Sequence, residues 1–128
     1  MIRAIVVAAG LVAAALAALA CVPALACVPA LAAERTARVQ VAAREFGYSL
    51  SKLRVAHGRA IVQLVNYGED PHDLRLRRVG GTRVYRLAKT APGAQSELDF
   101  RTLPGRYVLW CSIGDHRKRG MSAVLTVR

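Results

Sequence analysis

Residues 105–121 read Gly-Arg-Tyr-Val-Leu-Trp-Cys-Ser-Ile-Gly-Asp-His-Arg-Lys-Arg-Gly-Met. In the first part, Tyr107, Leu109 and Cys111 alternate onto one face of an extended strand and Trp110 falls on the other. The rest is a loop that sets a thiol, an imidazole and a thioether, those of Cys111, His116 and Met121, at five-residue steps. Cys111 ends one strand and Met121 begins the next, so the loop folds back and draws the three side chains toward one point.

Period-two alternation recurs along the chain on either side. Ala37, Val39 and Val41 alternate with Arg38 and Gln40, Leu53 and Val55 flank Arg54, Leu74 and Leu76 alternate with Arg75 and Arg77, and Leu98 and Phe100 with Asp99 and Arg101. Ile61 to Val65 is more continuously apolar and β-branched, as a central strand would be, and Ala123 to Val127 is the last strand. Turn compositions stand between these runs at His57-Gly58, Tyr67 to Pro71, Gly80-Gly81, Ala91-Pro92-Gly93 and Leu103-Pro104-Gly105. The pattern predicts an all-β, Greek-key sandwich of seven or eight strands. Residues 85–91 have room for a helical turn, and no segment carries a helical stripe.

The 128 residues hold one domain and exclude a multidomain enzyme. Residues 1–33 contain only Arg3, Gly10, Pro23 and Pro29 outside the hydrophobic set. Arg3 followed by the apolar block Ala4 to Ala20 predicts an export signal over residues 1–32, cleaved after Ala32, with the folded domain over 33–128 and a periplasmic or otherwise extracytoplasmic location. Two alternatives stand beside it: a retained N-terminal anchor, disfavoured by the two prolines, and lipidation at Cys21 or Cys27, where the sequence Ala-Leu-Ala-Cys is a loose match. Membrane association is expected only through one of these.

Without the leader a single cysteine, Cys111, and a single methionine, Met121, remain. Taken singly, each site residue has a plain reading: Cys111 and Met121 as core, His72 as a surface residue after the turn at Pro71, His116 as a loop residue. Together they run in the order His, Cys, His, Met within a predicted sandwich, and the partner for the loop donors has to come from another strand end, where His72 stands. Soft sulfur with two imidazoles and a weak thioether suits copper cycling between its two oxidation states. His57 lies in an apparent hairpin turn and reads as solvated.

The segments Gly105-Arg-Tyr107, Cys111, His116 and Gly120-Met121, with Pro71-His72-Asp73 upstream, resemble those of the cupredoxins, the plastocyanin-like and azurin-like blue copper proteins, over residues 36–128. Four residues separate Cys111 from His116, as in azurins and phytocyanins and more than in plastocyanins, which leaves the subgroup open. The resemblance implies one copper ion in a type 1 site, with His72, Cys111 and His116 as equatorial ligands and Met121 as the axial one. It implies that Asp73 and Ser112 hydrogen-bond across the site, and that Trp110 either packs or offers a second electron route. The function implied is a monomeric one-electron carrier between redox partners and not an enzyme. A periplasmic copper chaperone or scavenger using the same ligands is the alternative, and a metal-free interaction module a third.

The chain carries 19 Lys and Arg against 8 Asp and Glu, for a net charge of +11. Such a field invites nucleic acid, but the basic residues are interleaved along strands and no nucleic-acid motif is present. Arg117-Lys118-Arg119 directly follows His116. The expected partner is therefore a redox protein with an acidic docking surface, and no nucleic acid.

Overall fold

The computed structural model describes residues 35–128, so the leader expected over 1–32, with its anchor and lipidation alternatives, lies outside the described residues. Nine strands form in chain order: β1 (Ala37–Arg44), β2 (Gly47–Leu50), β3 (Arg54–Val55), β4 (Gly58–Asn66), β5 (His72–Arg78), β6 (Val84–Thr90), β7 (Gln95–Thr102), β8 (Gly105–Trp110) and β9 (Ser122–Val127). They make a four-stranded sheet ordered β2-β1-β4-β7 and a five-stranded sheet ordered β3-β9-β8-β5-β6. The all-β sandwich follows the sequence reading, in which β3 is already marked by Leu53 and Val55, and the count exceeds seven or eight because β2, only four residues long, and β6 are added. A strand as short as β2 carries too little alternation to be seen from sequence.

The segment expected to hold a helical turn is strand β6. Tyr85 and Leu87 lie opposite Leu76 and Leu74 of β5, and Arg86 opposite Arg75. A ladder with β5 pairs the backbone groups on one edge of β6 and turns Leu87 into the core, and that outweighs a local preference.

β4 is central to its sheet, as its apolar continuity implies, pairing parallel with β1 and antiparallel with β7. Val39, Val41, Val62 and Leu64 from this sheet meet Leu74, Leu76, Leu87, Tyr107, Leu109 and Leu125 from the other in one core. Burying each Val or Leu contributes roughly 1.5–3 kcal/mol. Cys111 and Met121, both fully buried, belong to the same core. Tyr107 also fastens the turn before β8, its hydroxyl accepting from the Leu103 amide at 3.0 Å.

Two connections position the site. The β1–β2 hairpin closes on Arg44 and Gly47, leaving Glu45 and Phe46 at its tip. The β4–β5 turn is held by Asn66, which is fully buried. Its Nδ2 donates to the carbonyls of Asp70 and Thr90 at 2.7 and 3.0 Å, and its Oδ1 accepts from the Gly68 amide at 2.9 Å. A buried amide with every polar atom engaged rigidifies the turn it spans.

Candidate metal centre

His72 opens β5 immediately after the Asn66-braced turn, and its side chain is fully buried. Cys111 follows β8, and its amide donates to the carbonyl of Met121 at 3.2 Å. The Met121 amide in turn donates to the carbonyl of His116 at 3.0 Å. Backbone hydrogen bonds thus close the 111–121 loop, and Gly120, with φ of +109°, takes the bend that a side chain would resist. Ligand atoms of His72, Cys111 and His116 all lie within 4.8 Å of one another. The Cys111 Sγ to His116 Nδ1 separation is 3.6 Å, and the two imidazoles meet edge to face with centroids 5.2 Å apart. His116 is half-buried. Met121, fully buried, is tied to the cluster through the backbone of both Cys111 and His116.

Glu45, which the sequence reading did not single out, decides which nitrogen of His72 is free. Its Oε1 lies 3.0 Å from His72 Nε2 and accepts from the amides of Glu69 and Asp70, each at 2.8 Å. The Asp70 amide is the main reason that the carboxyl is held down at about 2, with the His72 imidazole and the Glu69 amide assisting. An ionised carboxylate only accepts, so Nε2 carries the proton and Nδ1 presents a lone pair. That Nδ1 is the one buried side-chain nitrogen or oxygen without a hydrogen-bond partner among the described residues. A buried, unpaired acceptor costs free energy unless something fills it, and a cation is what a lone pair beside a thiol and a second imidazole fits. Glu45 also explains Gly68: a Cβ there would sit 2.2 Å from Glu45 Oε1.

Asp73 and Ser112 meet as the resemblance implies. Asp73 Oδ1 accepts from the Ser112 amide at 2.7 Å, and Oδ2 accepts from the Ser112 hydroxyl and from Arg75 Nε at 3.1 Å. The Tyr48 hydroxyl donates to the Asp73 carbonyl. Burial, with Cys111 and Asp73 as neighbours, pushes the Tyr48 phenol up. Burial also pushes the Cys111 thiol up, partly offset by the amides of Asp73 and Ile113 that donate toward its sulfur. Those donors favour a thiolate once a cation replaces the proton.

Phe46 meets the His116 imidazole at a centroid distance of 4.8 Å with the rings tilted by 59°, and the Arg119 guanidinium lies 3.6 Å over the Phe46 ring. Arg117 lies 4.8 Å over Trp110, which occupies the sheet face opposite Cys111. Two of the three cations after His116 therefore rest on aromatic rings. Neither Phe46 nor Glu45 carries a sequence signal, since a two-residue hairpin tip has no periodicity. His57 stays outside the cluster on an exposed turn, its Nδ1 3.1 Å from the Arg128 carbonyl.

No family model matches the chain, and no curated protein matches it in sequence. Solved structures do match. Auracyanin A, a "blue" copper protein from the green thermophilic photosynthetic bacterium Chloroflexus aurantiacus, is 13% identical with a TM-score of 0.60, over 73% of this chain and 100% of that one. A mutant of amicyanin in its Cu(I) form is 18% identical with a TM-score of 0.54, over 71% and 82%. A multicopper oxidase is 13% identical with a TM-score of 0.53, over 74% of this chain but 44% of its own. With two sheets of this order and this likeness to blue copper proteins, the chain has the cupredoxin fold.

Proposed function

We propose that the protein is a one-electron carrier that holds a single copper ion in a type 1 site. His72 Nδ1, Cys111 Sγ and His116 Nδ1 would hold the ion, with the Met121 thioether as a fourth, weaker donor. Two observations together carry this reading: His72 Nδ1 is buried without a partner, and a ring nitrogen of His72 lies within 4.8 Å of ligand atoms of Cys111 and His116. Bound copper supplies reversible one-electron redox chemistry. The chain's own contribution is rigidity: Glu45 sets the His72 tautomer, Asp73 and Ser112 clamp the loop to β5, and burial excludes water. A donor set that moves little between oxidation states keeps reorganisation small.

The reading is non-enzymatic, because a copper oxidase needs a second, histidine-rich site and the remaining histidine, His57, stands on an exposed turn. The partner proposed is a redox protein whose acidic surface meets the His116 end, where Lys118 is exposed beside the stacked Arg117 and Arg119. Export by residues 1–32 would place this exchange outside the cytoplasm.

Titration with Cu(II), followed by visible absorption, tests the site. The expected result is an intense thiolate-to-copper band that saturates at one equivalent and is absent from Cys111→Ser. A colourless or non-stoichiometric product overturns the assignment. A coloured site whose copper passes readily to a copper acceptor would move it to copper handling.

A further inference from the structure

We propose that the end of the sandwich opposite the metal centre is a docking face for a bilayer surface rich in anionic headgroups. Strand register assigns the turns to two ends. His72, the 111–121 loop and the β1–β2 tip share one of them. At the other, β1 enters with Ala37 level with Ala60, β4 starts with Gly58 opposite Thr102, and β8 starts with Gly105 opposite Val127. The β5–β6 turn reaches this end too, because Arg78 lies opposite Tyr107 and the Val79 amide donates to the Arg106 carbonyl at 2.8 Å. Arg78 Nη1 also donates to the Pro104 carbonyl at 3.2 Å, which fastens the β5–β6 and β7–β8 turns to each other.

Two properties separate this end from the rest. The first is apolar exposure: Val79 is 58% and Leu103 60% exposed, one on each of the fastened turns, and Leu53 is 66% exposed between Lys52 and Arg54. The second is charge. Each described Asp and Glu lies at the metal end, as Glu45, Glu69, Asp70, Asp73 and Asp115, or along β7, as Glu97 and Asp99, and Asp99 is taken by Arg59. The opposite end carries exposed Arg35, Lys52, Arg54, Arg83, Arg106 and Arg128, none of them ion-paired with a carboxylate of the described residues. Arg35, Lys52 and Arg54 line one shallow cleft, so three of these cations are neighbours.

Apolar side chains on turns ringed by cations match a lipid interface, where the apolar groups enter the acyl boundary and the guanidiniums meet phosphates. The chain also enters the folded domain here: the described residues begin at Arg35, and residues 4–33 before it carry no charge. A nucleic acid would need an open aromatic ring for stacking, whereas at this end Tyr107 is buried and Tyr85 packs on Phe100 with centroids 4.2 Å apart. With this end on a bilayer, the nine residues of β4 hold the metal centre roughly 30 Å from the headgroups, clear for a partner. The contact belongs to the folded domain and is separate from any attachment through residues 1–32.

Trp110, the one tryptophan, lies at the metal end of β8. W110F/L103W moves the fluorophore to the β7–β8 turn. The metal-free full chain is mixed with vesicles containing a minor share of phosphatidylcholine brominated on its acyl chains, which quenches an inserted indole. In vesicles of phosphatidylcholine with phosphatidylglycerol, quenching of W110F/L103W is expected to be at least about threefold stronger than in phosphatidylcholine alone, and to fall with salt. The parent shows little quenching in either. Adding R83E/R106E to the reporter removes the gain, and adding K89E/K118E, of equal net charge and nearer the metal end, keeps it. Quenching of Trp110 in the parent, equal losses for the two reversed pairs, or no gain from phosphatidylglycerol would overturn the assignment. Binding of decaglutamate without that gain would give the end to an acidic protein and overturn it as well. Attachment through residues 1–32 is common to all the variants and does not separate them. Because no copper is present, failure here leaves the metal site untouched, and a colourless copper titration leaves this end untouched.

Discussion

Glu45 Oε1 stands 3.0 Å from His72 Nε2, although 27 residues separate them in the chain. The hairpin tip that carries Glu45 is joined to the start of β5 by this contact and to the preceding turn by the amides of Glu69 and Asp70. One carboxylate thus orients a ring, selects its tautomer and closes a turn.

Glu45→Ala is expected to weaken Cu(II) affinity about 10- to 100-fold, as loss of a carboxylate behind a ligating imidazole does. Glu45→Gln, which keeps an oxygen acceptor, should fall between this variant and the parent. Gly68→Ala should reproduce part of the loss with Glu45 intact, because its Cβ displaces the carboxylate. Competition titrations against a chelator of known affinity read all three, and parent-like affinity in Glu45→Ala would show that the carboxylate does not orient the ligand.

The depressed Glu45 carboxyl makes metal-free stability depend on pH. In the fold it ionises at about 2, against an ordinary value of 4.5. The folded state therefore binds fewer protons between these values, so the stabilisation is fully present above the ordinary value and is lost as pH falls toward about 2. Urea midpoints should decline through that acid window, and Glu45→Gln should flatten the decline.

The Asp73–Ser112 clamp joins β5 to the start of the metal loop. Asp73→Ala removes the acceptor of the Ser112 amide and hydroxyl together, and should cost about 2 kcal/mol in the metal-free protein, the range for hydrogen bonds to a charged group. Asp73→Asn keeps an oxygen for the Ser112 amide and should cost less than half of that. In the copper-loaded protein Asp73→Asn removes a negative charge near the Cys111 sulfur and uncovers Arg75, so its reduction potential should rise. An unchanged potential would mean that Arg75 already neutralises the carboxylate.

Asn66→Ala should destabilise by about 3 kcal/mol, since it strips three side-chain hydrogen bonds from a buried turn. Asn66→Asp should also destabilise, because a carboxylate cannot donate to the carbonyls of Asp70 and Thr90. Thermal unfolding of the metal-free variants measures both.

Sequence by itself determined the fold class and brought His72, Cys111, His116 and Met121 forward as candidates. Alternation at Val39 and Val41, Leu74 and Leu76, and Tyr107 and Leu109 reports directly on which side faces a core, and all of these residues are buried. The loop donors were legible because five-residue steps between two strand ends leave little freedom in where they meet. Strand β2 was illegible for want of length, and β6 because its seven residues have ambiguous local preference until β5 lies beside them. Tertiary structure alone decided the role of Glu45, the cover of Phe46 and Arg119 over His116, the three-bond brace of Asn66 and the pairing of Arg75 with Arg86. Each of these arises from residues distant in the chain, where register and hairpin closure, set by burial of the whole sheet, choose the neighbour.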